Sequence, residues 1–212
     1  MNVVIIIFLL IAAYLLGSVN FSIIFSKRLL NSDVRTKGSG NAGSTNMLRS
    51  YGWIYAVLTL LFDFLKAFVV LLAAKLIFIS YAYCQLIVAL VGLACVVGHC
   101  FPIFFKFKGG KGVAVGAMVI LMVDYKAFII VVVLFLISVI LTRFVSLGSI
   151  VGAVAFPLSC AFLLDYTDPY DIWTLVCTII IGLLVIYMHR SNIYRLCKGT
   201  ERKFSLSNKK EK

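Results

Sequence analysis

Acidic side chains are scarce in this chain, which has 8 Asp and Glu against 20 Lys and Arg in 212 residues. We find no pair of carboxylates and no cluster of metal ligands in the sequence. Divalent cations such as Mg²⁺ are held mainly by carboxylate oxygens, so this scarcity argues against magnesium chemistry. The sequence therefore predicts no metal and no cofactor.

Cysteine motifs and nucleophile motifs are missing as well. The six cysteines show no C-x-x-C spacing, and most lie inside apolar runs, which predicts small core residues and not a disulfide or metal framework. There is no nucleophile elbow and no Ser/His/Asp arrangement. The glycine motif at 109–112 lacks the hydroxyl residue that follows lysine in a nucleotide-binding P-loop, because Gly112 stands there.

Apolar residues, by contrast, make up 63% of the chain, and only 13% of residues are charged. A transmembrane helix needs about 20 apolar residues, and several runs reach or approach that length. We predict one all-α domain over 1–212, a polytopic membrane protein with seven transmembrane helices, the first of them retained and not a cleaved signal. The predicted spans are 3–25, 53–74, 84–104, 113–123, 127–141, 145–164 and 172–188.

The fourth of these runs is short. At about 1.5 Å per residue, 113–123 falls well below the roughly 30 Å hydrocarbon core. Either it is a short tilted span, or it begins inside the glycine-bearing loop before it. Fusing 113–141 into one span is the alternative, but that fusion would send the cation-rich tail to the outer side. Charge therefore favours two separate spans.

The cations are distributed unevenly between the two sides of this arrangement. Loops 26–52, 105–112 and 142–144 and the tail 189–212 hold 5, 3, 1 and 8 of them, which is 17 of 20. The positive-inside rule then predicts an outer N-terminus and a cytoplasmic C-terminus. Orientation and anionic lipid headgroups explain most of the net charge of +12, so nucleic acid is not expected as a partner.

The most unusual stretch of this apolar chain is the polar run 37–49. It has three glycines, several hydroxyl and amide side chains, and a cation at each end. Glycine lets backbone amides approach a ligand, and an arginine fork suits phosphate. We predict that this first polar stretch holds a small anionic molecule. Its candidate residues are Gly38, Ser39, Gly40, Asn41, Thr45, Asn46 and Arg49.

A second polar stretch, the glycine loop, comprises Gly109, Gly110, Lys111 and Gly112 and opens a predicted helix. Exposed amides at a helix N-terminus, together with a lysine, form an anion site. A flexible turn with interfacial lysines is an equal alternative at this point.

A third polar stretch follows the last span. His189 stands where that span meets water, Asn192 shares its helical face, and Arg195 follows. A histidine there could take a proton from a hydroxyl or bind phosphate; an interfacial helix cap is the competing interpretation. All three polar stretches fall on the predicted cytoplasmic side, so one composite site is geometrically possible.

Four further polar residues are interpreted as structural. His99 precedes a Phe-Pro turn, where a chain reversal needs hydrogen bonds, and Glu201 can pair with a neighbouring cation. Asp63 and Lys66 are three residues apart on a predicted span and can neutralise each other. Ionisable residues inside a membrane are functional candidates, but a structural pair that faces the bundle interior is favoured here.

These features favour a membrane enzyme or binder for a small phosphorylated compound, acting by positioning and charge stabilisation. A transporter for such a compound is the main alternative, with Asp63 and Lys66 as an internal gate. Against it, the polar groups lie at one face, whereas carriers bind near the midplane, and no internal repeat is evident. A lipid-headgroup transferase would need an aspartate-rich metal motif, which is missing.

Three ordered motifs carry a family resemblance: GSGNAGSTNMLR at 38–49, GHCFP at 98–102 with FKGGKGVA at 107–114, and HRSN at 189–192 with Arg195 and GTE at 199–201. Segments 14–18, 63–66 and 142–147 also fit. The chain resembles the bacterial acyl-phosphate:glycerol-3-phosphate acyltransferases of the PlsY type, over nearly its whole length. Asn20 and Ala67 depart from the family pattern, outside the three motifs.

The resemblance implies transfer of a fatty acyl group from acyl phosphate to the 1-hydroxyl of glycerol 3-phosphate, giving lysophosphatidic acid and phosphate in phospholipid biosynthesis. Acyl-CoA and acyl carrier protein are then not direct donors. By position, Ser39 and Arg49 are implied to be essential, and 109–112 is the glycerol-phosphate loop. His189 and Asn192 are a functional pair, and Glu201 is a structurally critical acid.

Our hypothesis is direct attack by the glycerol hydroxyl, with the proton taken by His189 or by a substrate phosphate. Ser39, Asn41 and glycine-loop amides would stabilise the oxyanion, and Arg49 and Lys111 would hold the phosphates. The expected partners are the two substrates, membrane lipids and an upstream acyl-phosphate-forming enzyme. The expected location is the bacterial cytoplasmic (inner) membrane, with the active site on the cytoplasmic face.

Overall fold

The computed structural model describes residues 2–164 and 166–204. Within these residues the chain forms helices and no strand, which confirms the all-α prediction. Asp165 and the predicted tail cations Lys209, Lys210 and Lys212 lie outside the described residues. The α-helices are α1 (Asn2–Ser18), α2 (Phe21–Leu29), α3 (Ser44–Tyr51), α4 (Trp53–Phe78), α5 (Cys84–Cys100), α6 (Val113–Val123), α7 (Tyr125–Thr142), α8 (Val145–Leu163), α9 (Asp171–Met188) and α10 (Arg190–Cys197).

Several of these helices are suited to a bilayer. Five helices in the described part of the chain are long enough and apolar enough to cross a membrane, namely α4, α5, α7, α8 and α9. Helices α1 and α2 together qualify as a sixth span, bent by 40°, whereas α6 is apolar but short. The length and composition of these helices fit a multi-pass membrane protein, and the total of seven spans stays a prediction.

The first span differs from the prediction of one continuous helix over 3–25. The chain breaks after α1, and Asn20 caps α2 by accepting a hydrogen bond from a first-turn amide at 3.2 Å. Lys66 of α4 donates from Nζ to the carbonyls of Gly17 and Val19 at 3.0 and 2.7 Å. Lipid offers no hydrogen-bond partner for a broken helix, so these polar side chains supply the partners that the break requires.

The predicted split between the fourth and fifth spans is present as two separate helices. Asp124 lies between α6 and α7, and its side chain accepts hydrogen bonds from the amides of Lys126 and Ala127 at 2.7 and 2.9 Å. A carboxylate at this N-cap position satisfies amides that have no intrahelical acceptor. One acidic residue in an apolar run therefore marks where one helix ends and the next begins.

Helix α5 lies in the middle of the bundle and packs against α1, α4, α6 and α9, while α8 packs against α7 and α9. Glycines allow α1 and α5 to touch backbone to backbone. A Cβ added to Gly17 would lie 2.3 Å from the Cys95 oxygen, and one added to Gly98 would lie 2.2 Å from the Tyr14 oxygen. Such close approach is typical of membrane helices joined through small residues. It fixes the end of α1, just before α2, and the end of α5, which precedes the glycine loop.

Candidate active site

A cavity of about 430 Å³ lies among the three polar stretches and extends between the membrane helices. Its polar lining comes mainly from helix ends and the segments between them, and includes Ser39, Asn41, Ser44, Thr45, Arg49, Lys111, Ser146, His189, Asn192 and Glu201. Its apolar lining comes from helix interiors, and includes Leu60, Phe64, Ile120, Phe128, Val131, Phe135, Phe156, Ile181 and Val185. The cavity thus joins a polar compartment to an apolar one.

Helices α3, α6, α8 and α10 begin at this cavity. The residue at the start of each of them lines it, namely Ser44, Val113, Val145 and the N-cap His189. The first amides of a helix lack an intrahelical acceptor and carry partial positive charge. The polar compartment therefore favours anions even without its Lys and Arg side chains.

The first polar stretch folds around the side chain of Asn46. Its Nδ2 donates to the carbonyls of Val34, Lys37 and Asn41 at 2.9, 3.0 and 3.0 Å, and its Oδ1 accepts from the Ser39 amide at 2.9 Å. The prediction made Asn46 a substrate contact. The residue does line the cavity, but its amide group is engaged by backbone groups of this stretch and of Val34 just before it, and so sets the shape of the stretch.

The glycines of this stretch make the turn possible. Gly38 and Gly40 have φ angles of 58° and 72°, in the left-handed region. A Cβ on Gly38 would lie 2.2 Å from Oδ1 of Asn46. Among the described residues, the cavity lining includes Ser39 and Asn41 but neither of these two glycines. The glycines, predicted to contact substrate, shape the backbone that presents the side chains between them.

The glycine loop is bonded to the end of α5. Its first two amides, of Gly109 and Gly110, donate to the carbonyls of the last two residues of α5 at 3.2 and 3.1 Å. In this structure the two amides are therefore engaged within the protein, and their role as substrate contacts stays a prediction. The contact folds the loop back onto α5 and brings Lys111 and Gly112, at the start of α6, to the cavity.

Glu201 joins α8 and α10 through one buried carboxylate. Oε1 accepts from Oγ of Ser146 at 2.9 Å and from Nδ2 of Asn192 at 2.7 Å, and Oε2 accepts from Nε of Arg195 at 2.7 Å. Burial opposes ionisation of this group, but the three hydrogen bonds outweigh it and hold the pKa of Glu201 below its ordinary value. Arg195, a predicted substrate contact, is thus engaged with Glu201 and is not among the described residues that line the cavity.

Asn192 extends this network to the glycine loop, because its Oδ1 accepts a hydrogen bond from Nζ of Lys111. Burial lowers the pKa of Lys111 to about 8; Glu201 opposes the shift, whereas Arg195 and Arg49 add to it. Lys111 is therefore still a cation at neutral pH. A phosphate beside it would relieve the repulsion from the two arginines.

Arg49 lines the same cavity from α3. Its Nη2 donates to the backbone oxygen of Arg202 at 3.2 Å, which ties α3 to the segment after α10. Arg49 and Lys111 come from segments far apart in sequence, and both face one cavity. Two cations arranged in this way suit a ligand or ligands with more than one anionic oxygen.

His189 is buried, and its ring orientation is set by its own helix. Nδ1 lies 2.8 Å from the carbonyl of Val185; because a carbonyl can only accept, Nδ1 carries the proton and Nε2 keeps a lone pair. Burial and repulsion from Lys111 lower the pKa of His189 to about 4. The imidazole is therefore neutral near pH 7; it keeps the Nε2 lone pair as a proton acceptor, and the lowered pKa makes it a weaker base than an exposed histidine.

The sequence interpretation misses Ser146 and the apolar wall. Ser146 lies in segment 142–147, which fits the family pattern, and a hydroxyl at the start of an apolar helix is the available signal. The wall could not be found in this way, because apolar residues surround each span and do not reveal which face borders a cavity. Asp63 and His99, interpreted as structural, also line the cavity.

The family profile described as glycerol-3-phosphate acyltransferase matches residues 7–199. The glycerol-3-phosphate acyltransferase of Aquifex aeolicus is 41% identical over 198 residues, which cover 93% of this chain and 98% of the relative. The enzyme of that name from Finegoldia magna is 39% identical over 203 residues, covering 96% of this chain and 98% of the relative.

Two crystal structures are also similar, both of PlsY (YgiH), an integral membrane glycerol 3-phosphate acyltransferase. Its glycerol 3-phosphate form has a TM-score of 0.83 at 40% identity and covers 94% of this chain and 96% of that one. Its lysophosphatidic acid form has a TM-score of 0.80 at 39% identity, covering 95% and 96%. Sequence and fold agree over nearly the full length of both chains, and this multi-pass membrane protein belongs to the glycerol-3-phosphate acyltransferase family.

Proposed function

We propose that this protein transfers a fatty acyl group from acyl phosphate to the 1-hydroxyl of glycerol 3-phosphate, producing lysophosphatidic acid and inorganic phosphate for phospholipid biosynthesis. One observation carries the proposal: a single cavity joins a cationic compartment at four helix starts to an apolar compartment between membrane helices. Lysophosphatidic acid has the same two parts, a phosphate head and an acyl chain. The similar structures, in glycerol 3-phosphate and lysophosphatidic acid forms, support the same substrate and product.

The two phosphate groups are held by cations and helix starts. Arg49 and Lys111 line the cavity from α3 and from the start of α6. Asn192 bonds Lys111 and also Glu201, so it orients the lysine instead of reacting itself. The acyl chain lies along the apolar wall, where burial of each CH₂ contributes about 0.8 kcal/mol.

Acyl phosphate is already activated, so no covalent enzyme intermediate is needed. The 1-hydroxyl oxygen bonds to the carbonyl carbon, and the bond from that carbon to the phosphate oxygen breaks as phosphate leaves with the electron pair. Nε2 of His189 takes the hydroxyl proton; a substrate phosphate oxygen is the alternative base. The side chains of Ser39 and Asn41 and the free amides at the start of α6 stabilise the oxyanion.

We place the chain in the bacterial cytoplasmic (inner) membrane, with seven spans, the N-terminus outside and the site on the cytoplasmic face. The polar compartment is lined by residues of the same cation-rich segments that the positive-inside rule assigns to the cytoplasm. Acyl phosphate must be supplied by an acyl-phosphate-forming enzyme, the expected upstream partner. A transporter is not favoured, because Arg49 and Lys111 belong to segments between the candidate membrane helices, whereas carriers bind near the midplane.

Phosphate release tests the function directly. Purified protein in detergent, given acyl phosphate and glycerol 3-phosphate, is expected to release inorganic phosphate and form lysophosphatidic acid in equal amounts. Acyl-CoA or acyl carrier protein in place of acyl phosphate should give no product. A transporter would release no phosphate, so the absence of phosphate release with every donor would refute the proposal.

Substitution of Ser39 tests its proposed oxyanion contact. We expect Ser39→Ala to lower kcat by about 100-fold, the usual effect of removing one such donor. Ser32→Ala is the matched control, because Ser32 is in the same connecting segment but not among the described residues that line the cavity. Full turnover in Ser39→Ala would rule out a catalytic role, and a trapped acyl-enzyme would rule out direct attack.

The pH dependence tests Lys111. Its pKa of about 8 means that the ammonium that binds phosphate is lost as pH rises through that value, so kcat/KM for glycerol 3-phosphate is expected to fall above about pH 8. In Lys111→Arg the guanidinium stays charged, because the pKa of arginine lies far above that of lysine, and the alkaline fall should move upward by about one pH unit or more. The same alkaline limb in both proteins would assign it to another group.

Cysteine labelling tests the orientation. Cys197 is exposed on α10, whereas Cys95, Cys100, Cys160 and Cys177 are buried. Cys84, at the start of α5, is only half-buried, so the test uses a Cys84→Ser background. In that background a membrane-impermeant maleimide should label Cys197 only after cells are permeabilised, while a cysteine introduced by Ser80→Cys, between α4 and α5, should react in intact cells. Labelling of Cys197 in intact cells would contradict a cytoplasmic C-terminus.

A further inference from the structure

The buried ammonium of Lys66 has no part in the proposed reaction, yet it has four polar neighbours. Nζ donates to the carbonyls of Gly17 and Val19 at 3.0 and 2.7 Å, and it lies 2.8 Å from Oδ1 of Asp63 and 3.0 Å from Nδ1 of His99. Lys66 is only 6% exposed. Among the described residues it does not line the cavity, although Asp63 and His99 do. Any effect of Lys66 on the reaction must therefore pass through its neighbours.

One set of contacts leads from Lys66 to the first polar stretch. The carbonyls of Gly17 and Val19 lie at the C-terminal end of α1 and just after it, where the helix breaks. Asn20, the next residue, caps α2 and donates from Nδ2 to the carbonyl of Ala42 at 3.3 Å. Ala42 is fully buried in the stretch that carries Ser39. Hydrogen bonds thus couple the position of the C-terminal end of α1 to the position of that stretch.

A second set of contacts leads to the glycine loop. The backbone oxygen of His99 accepts from the Gly110 amide at 3.1 Å, and Lys111 is the next residue. The Gly110 α-carbon lies between His99, which belongs to one set of contacts, and Ala42, which belongs to the other. A Cβ there would lie 2.1 Å from Nε2 of His99 and 2.6 Å from the oxygen of Ala42. The first polar stretch and the glycine loop therefore meet at Gly110, and each of them is connected to Lys66 by one of the two sets of contacts.

We propose that Lys66 is a positioning residue for acyl transfer: it sets the spacing between the stretch that carries Ser39 and Arg49 and the loop that carries Lys111. This inference rests on the proposed function. Reaction between two bound substrates depends on alignment, and a displacement of about 1 Å can cost about 100-fold in rate. Each segment keeps its own internal hydrogen bonds without Lys66, so its loss shifts the segments relative to each other and leaves each binding surface intact.

The choice of variant follows from the charge pair. Removing Lys66 alone would leave the Asp63 carboxylate buried without its partner, which destabilises a protein strongly. Asp63→Asn combined with Lys66→Met removes both charges at nearly constant volume. Lys75→Met is the matched control, because Lys75 is on the same helix and donates from Nζ to the Met122 carbonyl at 3.2 Å, away from the cavity lining.

The test measures phosphate release at varied concentrations of both substrates, on detergent-purified proteins that elute as a single species with wild-type helical circular dichroism. In the double variant we expect kcat to fall about 100-fold while KM for each substrate stays within about threefold. Lys75→Met should keep wild-type kcat and KM. A structural role alone would change the yield of folded protein but not the kcat of that protein.

Asn20→Ala gives a second route that leaves the buried charges in place. It removes the contact with Ala42 together with the bonds that Asn20 accepts from Ser22 and from the first turn of α2. We expect kcat to fall about tenfold, with little further loss when Asn20→Ala is added to the double variant, because residues acting through one network are not additive. The inference is overturned if the folded double variant, or Asn20→Ala where the double variant does not fold, keeps kcat within about twofold of wild type. A rise in KM with unchanged kcat would overturn it equally. If neither wild type nor Lys75→Met releases phosphate, the proposed function is refuted, and this inference with it.

Discussion

A helix that stops inside a bilayer exposes carbonyls and amides that hydrocarbon cannot solvate. This chain stops helices repeatedly around its cavity, and the two kinds of end are treated differently. Carbonyl ends are met by protein groups: Lys66 reaches the end of α1, and the first two glycine-loop amides reach the end of α5. At the amide ends, the first residues of α3, α6 and α8 and the N-cap residue of α10 line the cavity instead. The requirement that shapes the fold therefore also leaves donors where an anion can bind.

Scarcity of acid gives the cavity its chemical character. Glu201 is the carboxylate that organises the polar compartment. It accepts hydrogen bonds from Asn192 and from Arg195, and the arginine balances its negative charge. Lys111 and Arg49 remain to meet phosphate. The same positive surroundings, with burial, keep His189 neutral, so the field that attracts the substrates also maintains a side chain able to accept a proton.

Much of the helical architecture could be predicted from the sequence. Apolar runs correspond to membrane helices because only a helix satisfies its own backbone in hydrocarbon, and Asp124 marked a boundary because carboxylates cap helix starts. The break after α1 could not be predicted in the same way. Asn20 in an apolar run indicated that a hydrogen-bond partner was needed. In the structure that side chain both caps α2 and donates to the carbonyl of Ala42, which is 22 positions away, and a pairing at that separation cannot be read from a local sequence pattern.

For the site, the sequence by itself determined which chemical groups exist: three polar stretches, their cations, and an order of motifs specific enough to indicate a family. Only the tertiary structure decided which of those groups are free. The amides of Gly109 and Gly110, the side chain of Asn46 and the guanidinium of Arg195 are engaged within the protein. The physical reason is that a hydrogen bond requires its partners within about 3 Å. Several of these partners, such as Ser146 and Glu201, which are 55 positions apart, become neighbours only when the bundle is assembled.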